Sequence, residues 1–430
     1  MFKRRNVVLI LAILALIGGL SNGRDLLFNL AYLLGLLLIV SFLWAWSNLR
    51  WVHLSRLTRS RYAQAGGTFE ERFTVRNTSI IPKLWLEVRD YSGLSTHHAS
   101  RVITNLGSRS QVTWRVNTVC AQRGQYQLGP LRLSTSDPFG LFPMQRDLTQ
   151  TGTLVVYPTT VDISYFALPV GVLPGGDALR RRTHYITTNA SGVRDYAPGD
   201  SYSRIHWPST ARRDRLIVKE FELDPLADIW IVPDMSMLAH VEAIPKERKA
   251  ALEDADRPIW MQQEAYKLPE STEEYTITIA ASLTQYFLRF DRNVGLMAYA
   301  QAREVIQPDR GERQRNKILE TLAVLRTQGE LTIEQVMQAE LQVFPRGTTL
   351  IVVTPTNNEL WATVARQLKR RGLRIVTVLV EPASFGGHKS AEPLATFLQA
   401  NGLTTYVVHN GDNLSVALSR KPVGVHSFAL

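Results

Sequence analysis

The chain has 430 residues, 45% of them hydrophobic and 20% charged, and its 49 Lys and Arg against 38 Asp and Glu leave a formal net charge of +11. This composition excludes a disordered or fibrous chain, and the length predicts about two or three domains. Cys120 is the sole cysteine, so an intrachain disulfide framework is excluded and a reducing compartment is expected.

Apolar residues concentrate in the first fifty positions. After Lys3, Arg4 and Arg5, the run Val7 to Leu20 is apolar apart from Gly18 and Gly19, and Leu26 to Trp46 is interrupted only by Asn29, Gly35 and Ser41. The second run is long enough to span a bilayer, and Trp44, Trp46 and Trp51 stand where indoles favour the interface. Ser21 to Asp25 reads as a tight turn, giving a transmembrane hairpin over 1–49. A cleaved signal peptide is the rival reading, but no small-x-small cleavage site follows the first run. Basic residues flank the hairpin on both sides, with Arg50, Arg56, Arg59 and Arg61 after it, which predicts a plasma (inner) membrane protein with a cytoplasmic body.

Residues 50–160 read as an antiparallel, Ig-like β-sandwich. Phe69 to Val75, Leu84 to Val88 and Val112 to Val119 alternate with period two, and Gly66-Gly67 and Asn77-Thr78-Ser79 supply turns. Arg123-Gly124 to Pro130 and Ser136-Asp137-Pro138-Phe139-Gly140 read as tight turns flanking a strand over Leu131 to Ser134. His97-His98 has no Cys, Asp or Glu at ligand spacing and is expected in a solvated loop.

The segment 161–226 carries Gly192-Val193-Arg194-Asp195-Tyr196-Ala197-Pro198-Gly199-Asp200, then Arg204, His206, Trp207 and Ala211-Arg212. Together with the hairpin and the Asp-Pro-Phe-Gly turn, this arrangement resembles the bacterial family of domain of unknown function number fifty-eight. That resemblance covers nearly the whole chain. It implies a von Willebrand factor A-like domain, often encoded beside a MoxR-type AAA+ ATPase, with no established enzymatic activity. Arg194, Tyr196, Pro198, Gly199, Asp200, Arg204, Trp207 and Arg212 form either a surface for a partner or a turn braced by Arg-carboxylate pairs around an anchored indole. His206 lacks an orienting third group and an evident nucleophile, so it is not read as catalytic.

Residues 227–412 alternate apolar strands with helical stripes. Strands are expected over Asp228 to Val232, Val294 to Tyr299, Glu304 to Ile306, Leu350 to Val353, Ile375 to Val380 and Tyr406 to Val408. Helices are expected after the Ser271 cap, around Ile318 to Leu325, and over Ile333 to Phe344, Glu359 to Arg371 and Ala391 to Ala400, leaving 413–430 as a tail. The expected fold is therefore an α/β doubly wound von Willebrand factor A-like domain plus the sandwich and the hairpin. Ligands of such sheets bind beyond the carboxyl ends of the strands. There Asp234-Met235-Ser236-Met237-Leu238 resembles the Asp-x-Ser-x-Ser metal-ion-dependent adhesion loop of A-type domains, with Leu238 in place of the second serine and Thr354 where a distal aspartate is expected. Asp234, Ser236 and Thr332 are the ligands this leaves, and one carboxylate predicts weak Mg²⁺ or Mn²⁺ binding at best.

No phosphate-binding Gly-x-x-x-x-Gly-Lys loop and no His-Glu-x-x-His helix is found. Arg180-Arg181-Arg182 and Lys369-Arg370-Arg371 lack a nucleic-acid module, so nucleic acid is not an expected partner. The expected function is a membrane-anchored, non-enzymatic adaptor without a cofactor, working with a MoxR-type AAA+ ATPase or its client. The alternative is a divalent-metal-dependent binding module or weak hydrolase on the Asp234 loop.

Overall fold

A computed structural model describes residues 4–149, 151–168, 190–196, 205–213, 215–221, 228–242 and 267–420. It is a mixed α/β protein with several sheets, and most of the residues up to Thr160 form one compact unit while most of those from Val161 form a second.

The first unit opens with α1 (Arg4–Asn22) and α2 (Asp25–Leu49), both long and apolar enough to cross a membrane, with mean hydropathies of 1.7 and 2.5 over an 18-residue window. The chain reverses at Gly23, whose φ of 62° suits glycine. Small residues let the helices approach: Ala15 and Gly19 on α1 and Ala31 on α2 are buried, and a Cβ on Gly19 would press on the Phe28 ring at 3.3 Å. The outward faces stay apolar, with Leu26 74% exposed.

The sandwich follows α2 after two residues, Arg50 and Trp51. One sheet has the order β1 (Val52–Thr58), β3 (Thr68–Asn77), β6 (Gln111–Val119), all antiparallel. It shares a core with a sheet of order β5 (Arg101–Leu106), β4 (Lys83–Asp90), β8 (Leu131–Thr135), β9 (Met144–Leu148). Leu54, Phe73, Val75 and Trp114 from the first sheet pack on Leu86, Val88, Ile103, Leu131 and Leu133 from the second. Period-two alternation produces this by sending every second side chain inward. A third sheet, β2 (Tyr62–Gln64), β10 (Gly152–Tyr157), β7 (Gly124–Leu128), carries its own core around Phe69, Cys120, Leu128 and Leu154. Its β2–β10 pair is parallel, a departure from the antiparallel expectation that the long stretch of chain between the two strands permits.

In the second unit, β11 (Ala190–Asp195) and β12 (Ile217–Phe221) form an antiparallel ribbon, with the short helix α3 (Trp207–Arg213) between them in sequence. The main sheet has the order β15 (Arg303–Asp309), β14 (Val294–Tyr299), β13 (Ile229–Pro233), β16 (Thr349–Thr354), β17 (Arg374–Val380), β18 (Thr404–Val408). All neighbours are parallel except the β14–β15 hairpin. Buried on both faces, β13 and β16 read as continuous apolar runs. Trp230, Val232, Leu350 and Val352 pack with α6 (Ile333–Ala339), α7 (Leu360–Arg370) and α8 (Glu392–Ala400). The strand residues of opposite parity, Ile229 and Ile231, belong to the other face, where α4 (Thr272–Arg289) runs against β13 and β16. Ser271 caps α4 by accepting from the Glu273 amide at 3.2 Å, as its sequence position predicts. Helix α5 (Glu312–Val324) buries Ile318, Leu319 and Leu322, and its residues from Leu319 onward group with the first unit.

Two expectations change here. The helix predicted over Ile333 to Phe344 ends at Ala339, with Glu340 as its C-cap, where the Glu340 amide donates to the Val336 carbonyl and its carboxylate meets Arg303 at 2.7 and 3.0 Å. The 413–430 stretch is not all tail: α9 (Leu414–Ser419) buries Leu414, Ala417 and Leu418, and its Asn413 cap accepts from the Ser415 amide.

Candidate functional site

Strand β13 delivers Asp234 to the carboxyl edge of the sheet. The Asp234 amide donates to the Val353 carbonyl at 2.8 Å, prolonging the β13–β16 ladder by one residue and carrying the carboxylate into the interior. Oδ1 accepts from the Ser236 amide at 3.0 Å and Oδ2 from the Thr354 hydroxyl at 2.6 Å. The Asp234 carbonyl accepts from His240 Nε2 at 2.6 Å. Burial pushes the Asp234 carboxyl above the ordinary carboxylate range and the negative charge of Glu334 pushes the same way, against the pull of His240, Thr354 and the Ser236 amide.

The loop is clamped from the far side by Gly329. Its amide donates to the Met235 carbonyl at 3.0 Å and its carbonyl accepts from the Met237 amide at 2.9 Å. A Cβ on Gly329 would lie 2.3 Å from the Tyr299 carbonyl oxygen and 2.9 Å from that of Met235, so glycine is the residue that fits.

Asp234, Ser236, Thr332, Glu334 and Thr356 line one cavity of about 230 Å³, so the three ligands predicted from sequence do come together. The expectation of a single carboxylate is corrected: Glu334, buried on the first turn of α6, is a second one, and the Thr356 hydroxyl stands 3.5 Å from its Oε1. Thr332 is the N-cap of α6, its amide donating to Gln335 Oε1 at 3.0 Å. Ser236 Oγ is buried and makes no hydrogen bond among the described residues. Leu238, in place of a ligand serine, is 77% exposed at the rim beside the exposed Met237.

In the motif segment, Pro198, Gly199, Asp200 and Arg204 lie outside the described residues, as does most of the charged insertion after Ala239. Arg194 lies on β11, paired with Val218. The Tyr196 amide donates to the Leu216 carbonyl at 2.9 Å and the His206 amide to the Ile217 carbonyl at 2.8 Å, so the motif is folded onto the ribbon. His206 Nδ1 stands 2.7 Å from the Ser209 hydroxyl at the start of α3. The anchored indole expected as one reading is not found. Trp207 is 65% exposed, and Ala211, Arg212 and Leu216 are exposed with it, because a helix of two turns has no long apolar stripe to bury.

The solvated-loop expectation for His97 is overturned, although His98 is exposed as expected. The His97 side chain is fully buried, with Nε2 2.9 Å from Asp90 Oδ2 and 3.1 Å from Glu71 Oε2, and Nδ1 2.7 Å from the Thr118 hydroxyl. Arg56 forks onto both oxygens of Glu71, Nε to Oε1 at 2.7 Å and Nη2 to Oε2 at 2.6 Å. The ligand atoms of Glu71, Asp90 and His97 lie within 4.8 Å of one another, close enough for a metal ion. A divalent ion beside Arg56 would nevertheless leave a buried surplus of positive charge, whereas a protonated His97 with Arg56 balances the two carboxylates. Burial pulls the imidazole down, but its contacts with Asp90 and Glu71 outweigh that and hold it above its usual value. Burial likewise raises Glu71 and Asp90, and is outweighed chiefly by His97, with Arg56 and, for Asp90, Ser92 helping to hold both below the usual carboxylate range.

The family described as Protein of unknown function DUF58 matches residues 192–254, from β11 past the Asp234 loop. Uncharacterized protein YeaD of Bacillus subtilis (strain 168) is 25% identical over 193 residues, covering 43% of this chain and 48% of that protein, so the chain spans about half the length of the curated relative it matches. Among solved structures, proximal thread matrix protein 1 from the mussel byssus aligns at a TM-score of 0.28 and 13% identity, covering 45% of this chain and 46% of that one. The CARDB domain of a Pyrococcus furiosus protein aligns at 0.19 and 15% identity, covering 24% and 91%. Scores this low assign no fold to the chain.

Gly329→Ala is expected to displace the Asp234 loop at a cost of about 2 kcal/mol, lowering the unfolding midpoint of the second unit; an unchanged midpoint would show that the clamp is dispensable. The His97 cluster sets a pH window. The contribution of His97, whose pKa is raised in the fold, is complete below about pH 6.5 and lost as pH climbs through the folded value, while that of Glu71 and Asp90 is complete above about pH 4.5 and lost on acidification. Hydrogen-exchange protection of β3 and β4, corrected for intrinsic rates, should therefore fall in alkali in the native chain and stay flat in His97→Gln. A flat native profile would remove the charged imidazole from the account.

Proposed function

We propose that this chain, whose residues 192–254 match the family described as Protein of unknown function DUF58, is a membrane-anchored, non-enzymatic adaptor. Its α1–α2 hairpin spans the plasma (inner) membrane with the body in the cytoplasm, and its second unit is a doubly wound von Willebrand factor A-like domain that engages a MoxR-type AAA+ ATPase or that ATPase's client. The observation that carries this reading is Trp207. An indole 65% exposed on a short helix, flanked by the exposed Arg212 and Leu216 and lying within the family-matched segment, has the make-up of a protein-binding hot spot. The exposed Met237 and Leu238 at the mouth of the Asp234 cavity supply a second apolar contact of the same kind.

Affinity capture of the full-length chain from gently solubilised membranes tests this. An AAA+ ATPase should be recovered with the native chain and reduced about tenfold with Trp207→Ala, since loss of one hot-spot indole costs upward of 1 kcal/mol. Recovery of no ATPase with the native chain would refute the partner.

A second reading, of a divalent-metal-dependent binding module, is favoured by the unpaired Ser236 hydroxyl beside two carboxylates. Asp234, Ser236, Thr332 and Glu334 offer hard oxygen donors only, a set that fits Mg²⁺ or Mn²⁺. The ion would supply a positive charge for an acidic side chain of the partner. Titration of the full chain with Mn²⁺ should then give a saturable heat that is lost in Glu334→Gln. No saturable heat at millimolar metal would discard this reading.

A further inference from the structure

The sandwich is fastened to the end of the hairpin at several points. Only Arg50 and Trp51 separate α2 from β1, and the Trp51 carbonyl accepts from both the amide and the hydroxyl of Thr78 at 2.9 Å. Lys83, fully buried at the start of β4, donates to the Ser47 carbonyl in the last turn of α2, where backbone carbonyls lack helical partners. Phe142 meets Phe42 of α2 edge-on at 5.6 Å between ring centres, and the Arg5 guanidinium lies 5.8 Å from the same ring.

Three turns of the sandwich are gathered at this end. The 78–82 turn and the 107–110 turn are joined by the Arg109 amide, which donates to the Ser79 carbonyl at 3.0 Å, and by Asn77 Nδ2, which donates to the Gly107 carbonyl at 2.9 Å. The 136–143 turn carries Phe142. What these turns show to solvent is apolar and cationic: Ile80 is 73% exposed, Ile81 48% and Phe139 58%, and Arg4, Arg50 and Arg109 are exposed around them. Asp137 is the one acid in the three turns, and it is turned inward, its carboxylate accepting from the amides of Phe139 at 3.0 Å and Phe142 at 2.6 Å.

We propose that this end of the sandwich is an anionic-lipid docking surface, on which Ile80, Ile81 and Phe139 enter the interfacial layer while Arg50 and Arg109 meet lipid phosphates. The inference rests on the reading that the hairpin spans the membrane. That reading places the end of α2, and with it the turns fastened there, at headgroup level. An adjacent Ile-Ile pair facing water is a liability, and in the headgroup layer the same pair is buried. The absence of any exposed acid from the three turns matches the negative surface of a leaflet containing anionic lipid.

The test uses the full chain with the buried Cys120 replaced (Cys120→Ser) and single cysteines carrying a fluorophore, reconstituted in nanodiscs with spin-labelled lipids. Ile80→Cys and Phe139→Cys report on the proposed surface, Leu36→Cys on the hairpin, and Ser60→Cys on the opposite end of β1, about 23 Å away at the rise of an extended strand. Lipid labelled near the headgroup should quench positions 80 and 139 at least about twofold more than position 60 in discs containing phosphatidylglycerol. Phosphatidylcholine alone, or Arg50→Gln with Arg109→Gln, should diminish that difference. Quenching at 80 and 139 no greater than at 60, with position 36 quenched by deep labels, would overturn the docking surface and leave the hairpin standing. Shielding of position 80 from aqueous quencher without lipid quenching would assign the surface to a protein, also against the proposal. A position 36 untouched by deep labels would remove the membrane-spanning reading and the proposal with it.

Discussion

A charge placed where water cannot reach it must be answered by the protein, and Asp234 is where this constraint shapes the second unit. The β13–β16 ladder runs one residue past the strand and fixes the Asp234 backbone, so the carboxylate has nowhere else to go. Its lone pairs are met by the Thr354 hydroxyl and the Ser236 amide, and its carbonyl by His240. Those bonds set the course of the loop, Gly329 closes it from behind, and the cavity with Glu334 and Thr332 is what remains in front. A threonine in place of a second strand-end aspartate thus has a positive role, since it donates a proton where a carboxylate would have added repulsion.

The first unit solves a related problem differently. Arg56 and His97 meet the carboxylates of Glu71 and Asp90 in the sandwich interior, and these close contacts offset the cost of desolvating them. The buried Lys83 has no carboxylate partner among its described contacts and uses the carbonyl end of α2 instead, so burial lowers its pKa while the contact couples sandwich to hairpin. The sandwich is thereby held to the hairpin through packing as well as through the chain.

Much of this was legible in the sequence. Two-sided burial writes β13, β16 and β17 as apolar runs, half-burial writes β3 and β6 as alternations, and the Asp234 loop announces itself by residue type at a strand end. Glu334 escaped because nothing in the spacing of the Asp234 loop points a hundred residues onward to the first turn of another helix. The signal that was available is Thr332, two residues before it. His97 escaped for a similar reason, since Glu71 and Asp90 reach it only through the pairing of separate strands. Yet Glu71 shares its parity with Phe69, Phe73 and Val75, so an inward carboxylate needing a cation could have been inferred from the alternation alone. For Trp207 the residues alone left a partner surface and an anchored indole both open, and two turns of helix offer the indole no groove.

The adaptor account stands or falls on whether the Trp207 face meets a protein in the membrane. Photo-crosslinking in native membranes, with the reactive side chain placed at Trp207, at Leu238 and, as a control, at the exposed Phe397 of α8, addresses this directly. The account predicts a discrete adduct containing an AAA+ ATPase or its client from position 207, with 238 joining it and 397 giving none. Adducts equally absent from 207 and 238, or formed indiscriminately from all three positions, would contradict it.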